Sequence, residues 1–299
     1  MLAANNEMLM STTIINEKKI CTWQEFVTLK SSEATKKNLY RGLPNKPKKS
    51  IDDQWIKYDL RTTYQRKYET PDITEFYRKL KDFQMYKDRY ETIKEYPIGN
   101  NTNLLPLILY LRHAGIPMPV LDLTYNPLTA LYFSVHDLYI QYGVSDTFGS
   151  ILKNNPQGYV SIYEFDIEIL KNYYGVKELK EVYKFQDLID NSVYLIEKID
   201  NLCIKNPNMI NQDCAFIFLS SRYPIDILLS SQQSKSIEEE PPYPTPITLH
   251  KISYESIYTE KINESVYAYL EKHNKVGYKL FLDEQALYFD FINPSLIKK

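Results

Sequence analysis

Apolar residues recur at helical spacing from Thr22 to Ser32, where Trp23, Phe26, Val27 and Leu29 supply one face. Thr22, with Glu25 three residues on, makes a capping box that opens this helix. Leu39-Tyr40-Arg41-Gly42 predicts a short strand, stopped by Gly42 and Pro44. Leu104 to Arg112 predicts a buried helix ended by Gly115 and Pro117, and Val120 to Thr124 a short strand. Asn126 then caps a helix with Pro127 at its first position and Leu128, Leu131, Val135 and Leu138 on its inner face. Gly158 precedes an alternating strand from Tyr159 to Phe165, and Cys214 to Leu219 is a further apolar run of strand type. Residues 231–246, polar and then proline-rich, predict a loop before a strand from Ile247 to Ile252, and Tyr254 to His273 predicts a closing helix. There is no internal repeat and no linker that forces a domain boundary, so the pattern implies one mixed α/β domain.

The segment Leu111 to Val135 carries the most chemistry. Side chains alternate along a strand, so Asp122 and Thr124 share one face while Leu121 and Leu123 share the other. The apolar face goes to the core. A carboxylate and a hydroxyl are left together at a strand end, beside the free amides and positive dipole end of the helix that starts at Asn126. Such a corner suits a ribose or a phosphate. The competing reading is that Asp122 only hydrogen-bonds the turn and caps the helix, and that His113, just before Gly115, only satisfies helix-end carbonyls.

Composition narrows the classes. The net charge is -2, so no global field draws the chain to nucleic acid or to an anionic membrane. Between Lys36 and Lys94, however, 16 basic residues meet 9 acidic ones. Clustered in space, that excess would attract RNA or a dinucleotide phosphate; spread at helical spacing, it is a solvated face. The 27 tyrosines are either stacking surfaces or ordinary half-buried packing residues. Cys21, Cys203 and Cys214 form no CxxC pair, which suits a reducing compartment. The first residues lack a signal-peptide pattern, and the longest apolar run, Leu104 to Leu111, is too short to span a bilayer, so a cytoplasmic protein without a membrane partner is expected. His113, His136, His250 and His273 form no metal-ligand spacing, so no metal is expected, and GxGxxG, P-loop and GxSxG signatures are absent from the sequence.

Tyr40-Arg41-Gly42 resembles the aromatic-Arg-Gly signature of the FRG domain family. Residues 111–135 resemble that family's second motif, keeping His113, Gly115, Pro117, Leu121, Asp122, Thr124, Asn126, Pro127, Ala130, Leu131 and Phe133. A third element resembles Asn208-Met209 followed by Gln212, Cys214 and Phe216, so the similarity extends over residues 20–292, with tails at 1–19 and 293–299. The order of these motifs is similar to that of ADP-ribosyltransferases. The resemblance therefore implies an α+β domain, with a central, mostly antiparallel sheet of transferase type flanked by helices. It implies NAD as a substrate rather than a resident cofactor. Arg41 would grip the NAD phosphates or ribose, supported by Gly42; Thr124 and Asp122 would hold the nicotinamide ribose, and Tyr40 or Phe133 would pack on a ring. Gln212 would stand where many transferases place Glu; being neutral, it leaves Asp122 or its neighbour Asp213 to supply a carboxylate. His113 completes the catalytic candidates with Asp122 and Gln212.

FRG proteins are associated with prophages, toxin modules and anti-phage loci. The implied role is thus a toxin or defence effector with a protein or RNA acceptor and an antitoxin or phage component as partner. This chain departs from the family pattern with Arg112 at the Gln position, Met118 at Thr, Pro119 at a basic residue, Leu123 at the aromatic, Asn208 at Arg and Cys214 at Gly. Those departures keep open a non-catalytic nucleotide-binding or phage-sensing module, and an RNA-binding protein that uses the basic stretch.

Overall fold

Thr22 starts the first helix as its sequence dictates. Its hydroxyl accepts from the Glu25 amide at 3.1 Å, and the Glu25 carboxylate accepts from the Thr22 amide at 2.7 Å. The helix, α1 (Trp23–Ser32), buries Trp23, Phe26 and Lys30. Leu29, expected on the inner face, is instead exposed at 42%. Lys30 takes the inner position because its ammonium meets the buried Glu164 carboxylate at 2.6 Å.

The computed structural model describes residues 14–33, 37–44, 46–47, 55–56, 60–68, 76, 78, 103–113, 116–142, 158–182, 192–197, 209, 211–233, 244–257 and 265–275. Its strands are β1 (Ile15–Cys21), β2 (Asn38–Leu43), β3 (Lys46–Pro47), β4 (Trp55–Ile56), β5 (Val120–Thr124), β6 (Tyr159–Asp166), β7 (Lys177–Glu178), β8 (Val193–Ile196), β9 (Cys214–Leu219) and β10 (Ile247–Ser253). The later helices are α2 (Thr63–Lys67), α3 (Leu105–His113), α4 (Pro127–Tyr142), α5 (Ile167–Tyr174), α6 (Ile225–Gln233), α7 (Tyr254–Ile257) and α8 (Val266–Lys272). β3 and β4 pair with each other; the remaining strands form one sheet in the order β1-β10-β6-β2-β5-β9-β8-β7.

The α+β class stands. The mostly antiparallel sheet is corrected to a mixed one, because its outermost pairings, β1 with β10 and β7 with β8, are both parallel. β1 also begins at Ile15, within the segment assigned to an N-terminal tail, and adds an edge whose central residues are exposed. The single closing helix predicted over 254–273 is corrected as well. Ser265 is extended and caps α8 through the Ala268 amide, so α7 and α8 are separate helices. Residues 231–233, predicted as loop, finish α6, and the segment 234–243 lies outside the described residues, as do the Leu138 side chain and most of the basic stretch 36–94.

Period-two alternation sorts the core into layers. On one face, Tyr40, Val160, Ile162 and Ile252 pack against Phe26 of α1 and Ala130 and Leu131 of α4. Farther along that face, Val120, Phe216 and Phe218 lie with Leu105, Ile108 and Leu109 of α3. The opposite face carries Leu39, Leu121, Leu123, Phe165 and Ile217 with Leu170 of α5 and Leu228 of α6.

β2 makes six pairs with β6, and β5 makes five with β9, but β2 and β5 pair only at Tyr40–Thr124. The two halves of the sheet therefore join at one point and part beyond it. A continued ladder would set Gly42 opposite Asp122; in its place the Arg41 guanidinium reaches across and donates from Nη1 to the Asp122 carbonyl at 2.6 Å.

Candidate functional site

Over this parting lies a cavity of about 290 Å³ lined by Tyr40, Arg41, Gly42, Arg112, Asp122, Leu123, Thr124, Ala130, Phe133, Gln212 and Cys214. Each wall has a local cause. β2 delivers Tyr40, Arg41 and Gly42, and β5 delivers Asp122 and Thr124. α4 follows β5 at once because Asn126 caps it, its Oδ1 accepting from the amides of Leu128 and Thr129 at 2.9 and 3.3 Å. That helix carries Ala130 and Phe133 to the cavity. Its approach requires Gly42, where a Cβ would lie 1.7 Å from the Ala130 carbonyl oxygen. The glycine of the aromatic-Arg-Gly signature is thus a packing requirement for the helix that roofs the site.

Seven of the eight residues singled out from sequence come together here: Tyr40, Arg41, Gly42, Asp122, Thr124, Phe133 and Gln212. His113 ends α3, and its side chain lies outside the described residues. Thr124 is buried and its hydroxyl is engaged twice, donating to the Gln212 carbonyl at 2.6 Å and accepting from the Asn126 amide at 3.0 Å. It ties the end of β5 to the start of α4 and to the turn before β9.

Gln212 sits in that turn, not on the strand, and Cys214 approaches its Oε1 at 3.7 Å. Asp213 has a φ of 50° and is exposed; its carboxylate accepts from Lys275 at 3.2 Å and from Asn126 at 3.4 Å, outside the cavity lining. Asp122 is therefore the carboxylate of the cavity.

Arg112 is the member that sequence reading passed over. It was read only as a departure from the family's Gln, yet its Nη2 forms an ion pair with Asp122 Oδ2. Its place at the end of α3, 10 residues before Asp122, was the available signal. Arg41 Nη1 stands 3.8 Å from the same carboxylate oxygen. The Nε of each arginine is buried with no hydrogen-bond partner among the described residues.

Burial lowers the Arg41 guanidinium to about 10, with Asp122 opposing the shift and Arg66 and Arg112 adding to it; the group stays charged at neutral pH. Burial also pushes the Cys214 thiol up, helped by the nearby charges of Asp122 and Asp213, so it is a poor nucleophile.

Behind the cavity wall, Glu164 anchors a buried polar cluster. It accepts from Lys30 and Asn38 at 2.6 Å each, lies 2.6 Å from His250 Nε2, and takes the Tyr40 hydroxyl at 3.4 Å. Burial opposes the Glu164 charge, but the hydrogen bonds from His250, Lys30 and Asn38 outweigh it and hold the carboxyl at about 2. Burial first, and Glu164 second, raise the Tyr40 phenol, which stays protonated.

Among the described residues no three His, Cys, Asp or Glu side chains gather as metal ligands, and no helix is long and apolar enough to cross a membrane. No curated protein and no solved structure matches the chain. A family match does exist and covers β2, α3, β5 and most of α4, which supply every wall of the cavity except Gln212 and Cys214. That match is to the FRG domain, over residues 36–139.

Proposed function

We propose that the cleft binds the phosphate and ribose of a dinucleotide, NAD foremost, and that the chain works as an ADP-ribosyltransferase-like protein. The observation that carries this reading is the convergence of Arg41 and Asp122, 81 residues apart in sequence, on one open cavity flanked by Tyr40 and Phe133. A planar guanidinium that is charged at neutral pH suits a phosphate, and the two rings offer faces for a base or nicotinamide. The volume is at the lower end of small-molecule sites, about 300 Å³, which fits one nucleotide half better than a whole dinucleotide.

In the proposed reaction the bond from the ribose C1′ to nicotinamide breaks, and its electron pair leaves with the nicotinamide nitrogen. The acceptor forms the new bond to C1′ and gives up its proton. In this reading Asp122, which lines the cavity, balances the cation-like sugar. A second reading, binding without turnover, is favoured by the pairing of Asp122 with Arg112, which already neutralises that charge. The toxin or anti-phage role, with its protein or RNA acceptor and its antitoxin or phage partner, follows from the family resemblance alone.

The purified chain is titrated with NAD, and released nicotinamide is measured. Release that disappears in Arg41→Ala supports the transferase; saturable binding without release supports the second reading. NAD affinity that is undetectable in the wild type, or undiminished in Arg41→Ala, refutes both. Growth arrest on expression, relieved by Asp122→Asn, tests the effector role.

A further inference from the structure

Two guanidiniums in the cleft, the buried Arg41 and the half-buried Arg112, share one carboxylate. Arg112 pairs with Asp122 Oδ2, while Arg41 holds the Asp122 backbone carbonyl at 2.6 Å and stands 3.8 Å from the same Oδ2. An arginine brings five N–H donors, and the Nε of each of these two has no partner among the described residues. Arg66 lies close enough to disfavour the Arg41 charge as well. Positive charge and donor capacity thus exceed what Asp122 can satisfy, in a cavity that opens to solvent and leaves the Asp122 side chain 32% exposed. A glutamine at position 112, as in the family pattern, would leave Asp122 without this cation.

We propose that Arg112 is an exchangeable phosphate-binding residue: it pairs with Asp122 in this structure and transfers its guanidinium to a phosphate when an anionic ligand enters the cleft. The inference rests on the nucleotide-phosphate reading above and gives Arg112 two successive partners. The exchange has two consequences. Asp122 competes with the ligand for Arg112, so the wild-type affinity for phosphate is held down by its own carboxylate. Ligand entry also takes the Arg112 cation away from that carboxylate, so the negative charge of Asp122 next to the ribose is less compensated when substrate is bound. Ligand specificity follows, since a nucleoside without phosphate cannot draw Arg112 away.

Inorganic pyrophosphate is the probe, titrated calorimetrically into the full chain. Asp122→Asn is expected to bind it about tenfold more tightly than the wild type, the scale of one close charge pair. Asp122→Ala repeats the gain, so the result does not depend on one variant folding. Arg112→Gln binds about tenfold more weakly. In the Arg112→Gln background the gain from Asp122→Asn is much smaller, because only the 3.8 Å contact with Arg41 is left to release. Equal affinity in wild type and both Asp122 variants, or the same gain with Gln at 112, overturns the exchange while leaving the binding reading intact. Absence of pyrophosphate binding in every variant overturns the binding reading, and the exchange with it.

Discussion

The backbone of Ala130 rests directly on Gly42, so closely that a Cβ on Gly42 would fall 1.7 Å from the Ala130 carbonyl oxygen and 2.9 Å from the Ser134 amide. Both obstacles belong to the backbone of α4, which cannot turn aside as a side-chain tip can. Gly42→Ala must therefore lift the helix from β2. Overpacking of this kind costs about 1–3 kcal/mol, and more where backbone must move. The expected outcome is a lower thermal midpoint together with weaker NAD binding, since Phe133 on the same helix lines the cleft. Unchanged melting would show that the helix is not seated on the glycine.

Glu164 provides a test of the cluster behind the cleft. Its carboxyl is held at about 2 against an ordinary 4.5. A depressed carboxyl contributes stability that is complete above the unfolded value and is lost as pH falls toward the folded value. Wild-type stability should thus decline between about pH 4.5 and 2, and the share due to Glu164 should be missing in Glu164→Gln. At neutral pH the same variant leaves the buried Lys30 with only the Glu33 carboxylate, 2.7 Å away, as counter-charge, so the loss should stay below the roughly 3–5 kcal/mol of a fully unpaired buried charge. Urea unfolding of both proteins at several pH values reads both effects, and parallel pH curves would contradict the assignment.

The helix cap at Asn126 is a smaller and more local matter. Its Oδ1 takes the amides of Leu128 and Thr129, and its amide group touches Asp213 in the turn that holds Gln212. Asn126→Ala should cost about 0.5–2 kcal/mol in unfolding free energy. Asn126→Asp keeps the accepting oxygen, so it should recover most of the helix stability. It also brings a second carboxylate to Asp213, so the Gln212 side of the cleft should loosen, which an NAD titration detects as a drop in affinity.

Local rules made much of this site legible. Alternation placed Asp122 and Thr124 together, Asn126 and Pro127 marked the start of α4, and the Arg-Gly pair pointed to the strand across from them. What stayed hidden depends on partners distant in the chain. The inward turn of Lys30, in place of Leu29, depends on Glu164, 134 residues away. Arg112 looked like a departure from the family pattern because its pairing with Asp122 depends on how α3 and β5 are set against each other. The parallel edge between β1 and β10 joins Ile15 to Ile247, and no periodicity within either strand reports its neighbour. The opening between β2 and β5, which creates the cavity, is a failure of pairing, and hydrophobic pattern records only the strands themselves.

Arg41→Lys separates charge from shape in the proposed phosphate grip. Arginine presents a planar fork that keeps one nitrogen on the Asp122 carbonyl while others stay available to a ligand, whereas a lysine offers a single ammonium that must choose. NAD affinity should fall at least tenfold in the variant, about the worth of one lost charge-assisted hydrogen bond. The pH profile provides a second signature. The wild-type guanidinium loses its charge near 10, so wild-type affinity should hold through pH 9 and fall as pH rises past that point. A buried lysine titrates lower than a buried arginine, so whatever affinity the variant keeps should fall at a lower pH. Calorimetric titrations from about pH 7 to about 11, across the Arg41 value, follow both curves; coincident profiles would mean that residue 41 does not carry the charge that NAD meets.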